Sequence, residues 1–182
     1  MPAHKRVFVG KHYEGLIVKA LESQGLKFKT VSMEMDCKEK IDRLLVEEDG
    51  DKTCAIKVRM NYSGKDILVD LYEPYFGLES GSTKKGRDLV SQYDYYICLS
   101  RDIIYVINGK RQKQIIDEVL EEWKSHGQVL RIYSSTQYPG VQIRYTSDKA
   151  NHRPKLLMFI PVDAYDEGKG EVRTFPMIWP QE

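Results

Sequence analysis

Residues 41–60 read IDRLLVEEDGDKTCAIKVRM, and the fold turns on how this stretch is arranged. The run Ile41–Val46 is apolar enough for a strand, and Asp49-Gly50 marks a turn behind it. From Thr53 onward the residues alternate. Cys54, Ile56, Val58 and Met60 lie on one face, and Thr53, Ala55, Lys57 and Arg59 on the other. The expected product is a hairpin, with Asp42 near the start of its first strand and Lys57 on its second.

Upstream, residues 12–24 place Tyr13, Leu16, Ile17, Ala20 and Leu21 at the spacing of an amphipathic helix, with Gly25 positioned to end it. The segment LKFKTVSM alternates and predicts a short first strand, followed by the polar MDCKEK. Downstream, NYSGK reads as a turn into a third strand, DILVDLY (66–72). The stretch EPYFGLESGSTKKG is loop-like, and GRDLVSQY reads as a short helix. DYYICLS and IIYVI predict a strand pair, and Ile115, Ile116, Val119, Leu120 and Trp123 predict a second long helix over 112–126.

After Gly127 the character changes to strands: VLRIYSS, VQIRYT and KLLMFIPV. A tail follows, strand or ordered coil, pinned by Phe175, Ile178 and Trp179. The expected class is α/β, a central mixed β-sheet flanked by helices. Residues 1–127 would form the core and 128–182 a β-rich C-terminal extension packed on the same domain.

Of the 182 residues, 28 are Lys or Arg and 27 Asp or Glu, a formal net charge of +1. That balance excludes a polybasic binder working by bulk charge, but not a nucleic-acid enzyme whose carboxylates offset a basic groove. Three widely spaced cysteines, Cys37, Cys54 and Cys98, suggest neither a disulfide framework nor a zinc site. No apolar leader opens the chain and no run is long enough to span a bilayer, so a cytoplasmic protein without membrane contact is expected. Neither a P-loop nor a dinucleotide fingerprint is present.

The order of helix, strand, turn and strand, with EGLIVKALESQG, IDRLLV and AIK in succession, resembles the PD-(D/E)XK, or restriction-endonuclease-like, nuclease family. The resemblance covers about residues 11–126 and lies in the order of short motifs. It implies a restriction-endonuclease-like core and a metal-dependent nuclease acting on nucleic acid, DNA first. Asp42, Lys57, Asp70 and Glu14 would be catalytic, with Asp42, Asp70 and Glu14 holding Mg²⁺ or Mn²⁺. Magnesium takes hard oxygen ligands, and the metal activates water and stabilises charge developing on phosphate. Lys57 would position the nucleophile and stabilise that charge.

This sequence departs from the family at Ala55, where an acidic residue or Gln usually stands two positions before the Lys. The missing carboxylate then comes from the third strand, which offers Asp70 first, then Asp66, with Glu73 following; a phage-encoded branch of the family is similar there. The alternative is a catalytically inactive nuclease-fold module that binds nucleic acid or a protein partner.

Each residue also has a plainer reading. Asp42 and Lys57 alone would pass as a turn aspartate and a solvated strand lysine, and Glu14 as a solvent-facing helix residue. Arg59, Lys85, Arg87 and Arg153 are the candidate substrate-binding cations. Gly86-Arg87-Asp88 could instead be only a capped loop-to-helix junction. His152, Arg153 and Lys155 make a basic cluster near tyrosines that a solvated loop explains as well. The resemblance leaves a homodimer open, since many such nucleases dimerise to cut both strands.

Overall fold

A computed structural model describes residues 3–58, 66–126, 131–148 and 153–180. It is a mixed α/β structure with two sheets. In chain order the elements are α1 (Ala3–Glu22), β1 (Phe28–Lys29), a π-helical turn (Met35–Glu39), β2 (Arg43–Glu47), β3 (Gly50–Val58) and β4 (Asp66–Tyr72). Then follow α2 (Arg87–Val90), β5 (Tyr95–Ser100), β6 (Ile103–Asn108), α3 (Gly109–His126), β7 (Ile132–Ser134), β8 (Gln142–Asp148), β9 (Arg153–Pro161) and β10 (Val172–Pro176).

The hairpin expected over 41–58 forms: β2 and β3 pair antiparallel, with Arg43 opposite Cys54 and Glu47 opposite Gly50. Gly50 takes φ of 125°, a conformation that side-chain-bearing residues rarely adopt, which is why the turn uses glycine there. The six-stranded sheet runs β1-β2-β3-β5-β6-β10, and its one parallel pair is β3 with β5. A parallel neighbour cannot be reached by a tight turn, so the chain must leave the sheet between β3 and β5. It does so through β4, which belongs to the second sheet, β4-β9-β8-β7.

The chain forms two compact units that interleave in sequence. One holds Met1–Gly64, Tyr93–Gly109 and Glu167–Glu182; the other holds Lys65–Gln92 and Lys110–Asp166. The sequence reading cuts the chain once, at residue 127. The strands after that point instead divide, with β7, β8 and β9 joining β4 while β10 pairs with β6.

In the first unit, Ile17, Val18, Ala20 and Leu21 of α1 form one apolar core with Leu45, Cys54, Ile56, Ile97, Leu99, Ile104 and Val106. The helical stripe is the one the sequence predicts. The helix itself starts at Ala3 rather than at residue 12; no proline lies between Ala3 and Tyr13, and Gly10 lowers helix propensity without ending the helix. In the second unit, Ile115, Ile116, Val119, Leu120 and Trp123 of α3 are buried, as are Ile67, Val69, Leu71, Ile143, Met158 and Ile160 of the strands. Among the described residues no helix is long and apolar enough to cross a membrane.

Candidate active site

Asp42 lies immediately before β2 and is buried. Its backbone N–H donates to the Cys54 carbonyl at 2.9 Å, and its Oδ2 accepts the Ile56 N–H at 2.6 Å. The side chain therefore extends the β2–β3 ladder by one bond past Arg43, where β2 begins. Lys57 follows Ile56 on β3 and is partly exposed. The sequence expectation that Asp42 and Lys57 sit at adjacent strands of one hairpin matches this arrangement.

Glu14 is placed differently. Its carboxylate pairs with the Arg43 guanidinium at 2.7 Å, and Arg43 stands opposite Cys54 in the ladder. Cys54 and Ile56 face α1 in the shared core, so alternation along β3 turns Ala55 and Lys57 to the other face. Glu14 and Lys57 thus project from opposite faces of the sheet. Burial raises the Glu14 carboxyl above its ordinary range; Arg43 pulls it down, while Asp42 and Asp36 push it further up. The net direction is upward. Glu14 is therefore a half-buried, Arg-paired carboxylate that neighbours Asp42 electrostatically.

Asp70 belongs to the second unit, on β4, and is buried. Asp66 begins the same strand, and Glu73, just beyond it, pairs with Lys155 at 2.9 Å. The Asp70 amide donates to Asp88 Oδ2 at 2.7 Å, and the Gly86 N–H donates to the Leu71 carbonyl at 2.8 Å. This gives Gly86-Arg87-Asp88 its structural meaning. The glycine lets the backbone approach β4 closely, and Asp88 satisfies an edge amide of that strand. No side-chain hydrogen bond caps α2, which is a single turn of four residues and offers no sustained dipole to an anion.

Among the cations proposed for substrate, Lys85 forms an isolated β-bridge with Tyr72 and is exposed. Arg87 is half-buried at the start of α2, and Arg153 is exposed at the start of β9. Arg59 and His152 lie outside the described residues. Among the described residues no three His, Cys, Asp or Glu side chains converge as a metal-binding group.

Two groups escaped the sequence reading. Glu122 on α3 is buried and accepts from the Ser135 hydroxyl at 2.6 Å, the Thr136 amide at 2.6 Å and the Thr136 hydroxyl. Burial raises its carboxyl, but hydrogen bonds from Ser135, Thr136 and Tyr133 outweigh that and hold it down at about 2. The second group is a set of aromatic rings around Tyr75, whose only sequence signal was the pair Tyr75-Phe76 within an otherwise polar loop.

Compared with protein-family models, with curated proteins and with solved structures, the chain matches none. Functional inference therefore rests on its own residues.

Proposed function

We propose that this chain is a metal-dependent nuclease hydrolysing phosphodiester bonds in DNA, with a restriction-endonuclease-like core built on the β2–β3 hairpin. The observation that carries the reading is the buried Asp42 carboxylate bonded to β3 at Ile56, next to Lys57. A carboxylate and a lysine on adjacent strands can serve one phosphate: strands lie about 4.8 Å apart, within the span of a single metal–water–phosphate cluster.

The donor set suits a Mg²⁺ or Mn²⁺ ion that keeps several waters. Such ions need only one or two carboxylates beside the substrate phosphate. When bound, the metal supplies Lewis-acid stabilisation of the phosphoryl oxygens and a more acidic water. Asp42 holds its place because the Ile56 amide orients it, and Lys57 offers a positive charge to the developing phosphorane. Glu14 keeps the carboxylate character of the region while its own charge is balanced by Arg43. The part given to Asp70, in the second unit, rests on the sequence resemblance alone.

One observation favours a second reading, a catalytically inactive module that binds nucleic acid or a protein. Ala55, which replaces the usual ligand, is buried, and no three-group metal centre occurs among the described residues. Incubation with plasmid, linear, single-stranded and junction DNA in Mg²⁺, Mn²⁺ or EDTA separates the two. Cleavage that EDTA abolishes supports the nuclease. Binding with no cleavage under either metal overturns it in favour of the module.

A further inference from the structure

Two basic stretches far apart in sequence, Lys84-Lys85 and Arg153–Lys155, meet in the second unit around one tyrosine. The loop after β4 is closed at its root by the Tyr72–Lys85 bridge. A Glu73 N–H bond to the Lys84 carbonyl (2.9 Å) and a Lys84 N–H bond to the Pro74 carbonyl (3.0 Å) complete the closure. The same root docks onto the start of β9. There the Tyr75 N–H donates to the Pro154 carbonyl at 2.9 Å, and Lys155 Nζ pairs with Glu73 Oε1 at 2.9 Å.

At this junction the Tyr75 ring lies 5.8 Å from Tyr72, 6.2 Å from Trp123 and 6.2 Å from Tyr145, between centroids. Tyr72 and Trp123 are core residues, and the indole N–H of Trp123 has no acceptor among the described residues. The outer rings differ. Tyr145 is 42 % exposed, and Phe76, which follows Tyr75 in the chain, is 57 % exposed. Lys84, Lys85 and Arg153 are exposed and no ion pair holds them among the described residues, whereas Glu73, at the root of the loop, is already matched by Lys155.

Exposed rings beside unneutralised cations are an arrangement that apolar partners do not match, because burying the cations would cost more than the rings return. A polyanion with aromatic faces matches both halves. We propose that this surface binds single-stranded nucleic acid. Unpaired bases stack on Tyr145 and Phe76, above the fixed base of Tyr75 and Trp123, and the phosphates lie against Lys84, Lys85 and Arg153. A duplex hides its base faces in its own stack, so the rings select strands that are unpaired. The inference rests on the nuclease reading and narrows its substrate to nucleic acid with single-stranded character.

The test uses the full chain in EDTA, with a fluorescein-labelled oligothymidylate of about 20 nucleotides, longer than common single-strand sites, and a duplex of the same length. Oligothymidylate is expected to bind more tightly than the duplex. Tyr145→Ala or Phe76→Ala should weaken it by about fivefold or more, the loss expected for one stacked base. Tyr145→Phe, which keeps the ring, should bind as the wild type does. Lys84→Ala, Lys85→Ala and Arg153→Ala should each lower the salt slope by about 0.7. Unchanged binding in both aromatic variants overturns the proposal, as does equal affinity for duplex. So does binding to phosphatidylserine vesicles with none to the oligonucleotide. A chain that binds oligothymidylate yet cuts nothing supports this surface and overturns the nuclease reading. A chain that cuts duplex DNA and ignores the aromatic substitutions does the reverse.

Discussion

The Asp42 carboxylate accepts the Ile56 amide at 2.6 Å, so the residue that leads into β2 is bonded to the strand that carries Lys57. One oxygen atom therefore has a structural task and the group as a whole a proposed catalytic one, and substitution can separate them. Asn keeps an acceptor for the amide; Ala leaves that buried donor unmatched, at about 1–3 kcal/mol. Asp42→Asn should stay within about 1 kcal/mol of wild-type stability, Asp42→Ala should lose about 1–3 kcal/mol in urea unfolding, and both should lose metal-dependent cleavage. Normal cleavage by a folded Asp42→Asn protein would remove Asp42 from the mechanism.

Lys57 stands one residue beyond that bond and turns away from the α1 core. A lysine that stabilises charge in the transition state acts on the chemical step, while one that contacts backbone phosphate acts on affinity and its salt dependence. Loss of one well-placed donor typically lowers the rate by about 10²–10³. Lys57→Ala should keep the fold and bind DNA within a few-fold of wild type, yet lose about a hundredfold or more in single-turnover cleavage at saturating enzyme. A normal saturated rate would leave it a phosphate contact at best.

Glu122 gives the second unit a pH dependence. Its folded carboxyl sits at about 2, below the ordinary 4.5, because the bonds from Ser135, Thr136 and Tyr133 favour the ionised form over the opposing effect of burial. A depressed carboxylate contributes stability that is complete above the unfolded value and fades as pH falls through the folded one. Glu122→Gln should therefore be less stable than wild type near neutral pH, by about the 1.5–3 kcal/mol of a hydrogen bond to a charged group. The gap should close on acidification from about 4.5 towards 2. Thermal unfolding of both proteins across that range checks it; a gap independent of pH would assign the loss to packing.

The local pattern of this fold was legible where one face of an element meets one core. The stripe Ile17, Ala20, Leu21 reads correctly because it presents one buried face, and the alternation from Thr53 to Val58 reads correctly because only the small Ala55 is buried on the face opposite Cys54 and Ile56, while Thr53 and Lys57 stay partly exposed. The partner of β4 was not legible. DILVDLY is buried at Ile67, Val69, Asp70, Leu71 and Tyr72, on both faces, so its pattern carries no sign of which strands flank it. Its pairing with β9 joins residues as far apart as Ile67 and Ile160, more than ninety positions, and loop composition says nothing about such closures. The candidate site divides in the same way. Asp42 and Lys57 lie within one hairpin and could be read locally. Glu14 could be placed on its helix but not on a face of the sheet, since its Arg43 partner depends on how α1 crosses the strands.

Gly86 shows how one position can fix the edge of β4. Its φ of −70° is ordinary, so glycine is not needed there for backbone conformation. The need is space. A Cβ at this position would meet the Asp70 carbonyl oxygen well inside van der Waals contact, with the Leu71 backbone close behind. Backbone atoms of a paired strand cannot swing aside as a side-chain tip would. The approach also sets the distance at which Asp88 Oδ2 accepts the Asp70 amide at 2.7 Å, so a forced separation would weaken a buried bond as well. Gly86→Ala should therefore destabilise the protein by about 1–3 kcal/mol, the usual range for an overpacked site. Gly81→Ala is the control: a Cβ there meets nothing within 4 Å and its φ lies outside the glycine-favouring region. It should stay within about 0.5 kcal/mol of wild type. Asp88→Asn, which preserves an acceptor for the amide, should cost less than Asp88→Ala, which strands it. Equal urea midpoints for Gly86→Ala and Gly81→Ala would show that β4 can retreat from the loop, and that the close approach is not what holds Asp88 in place.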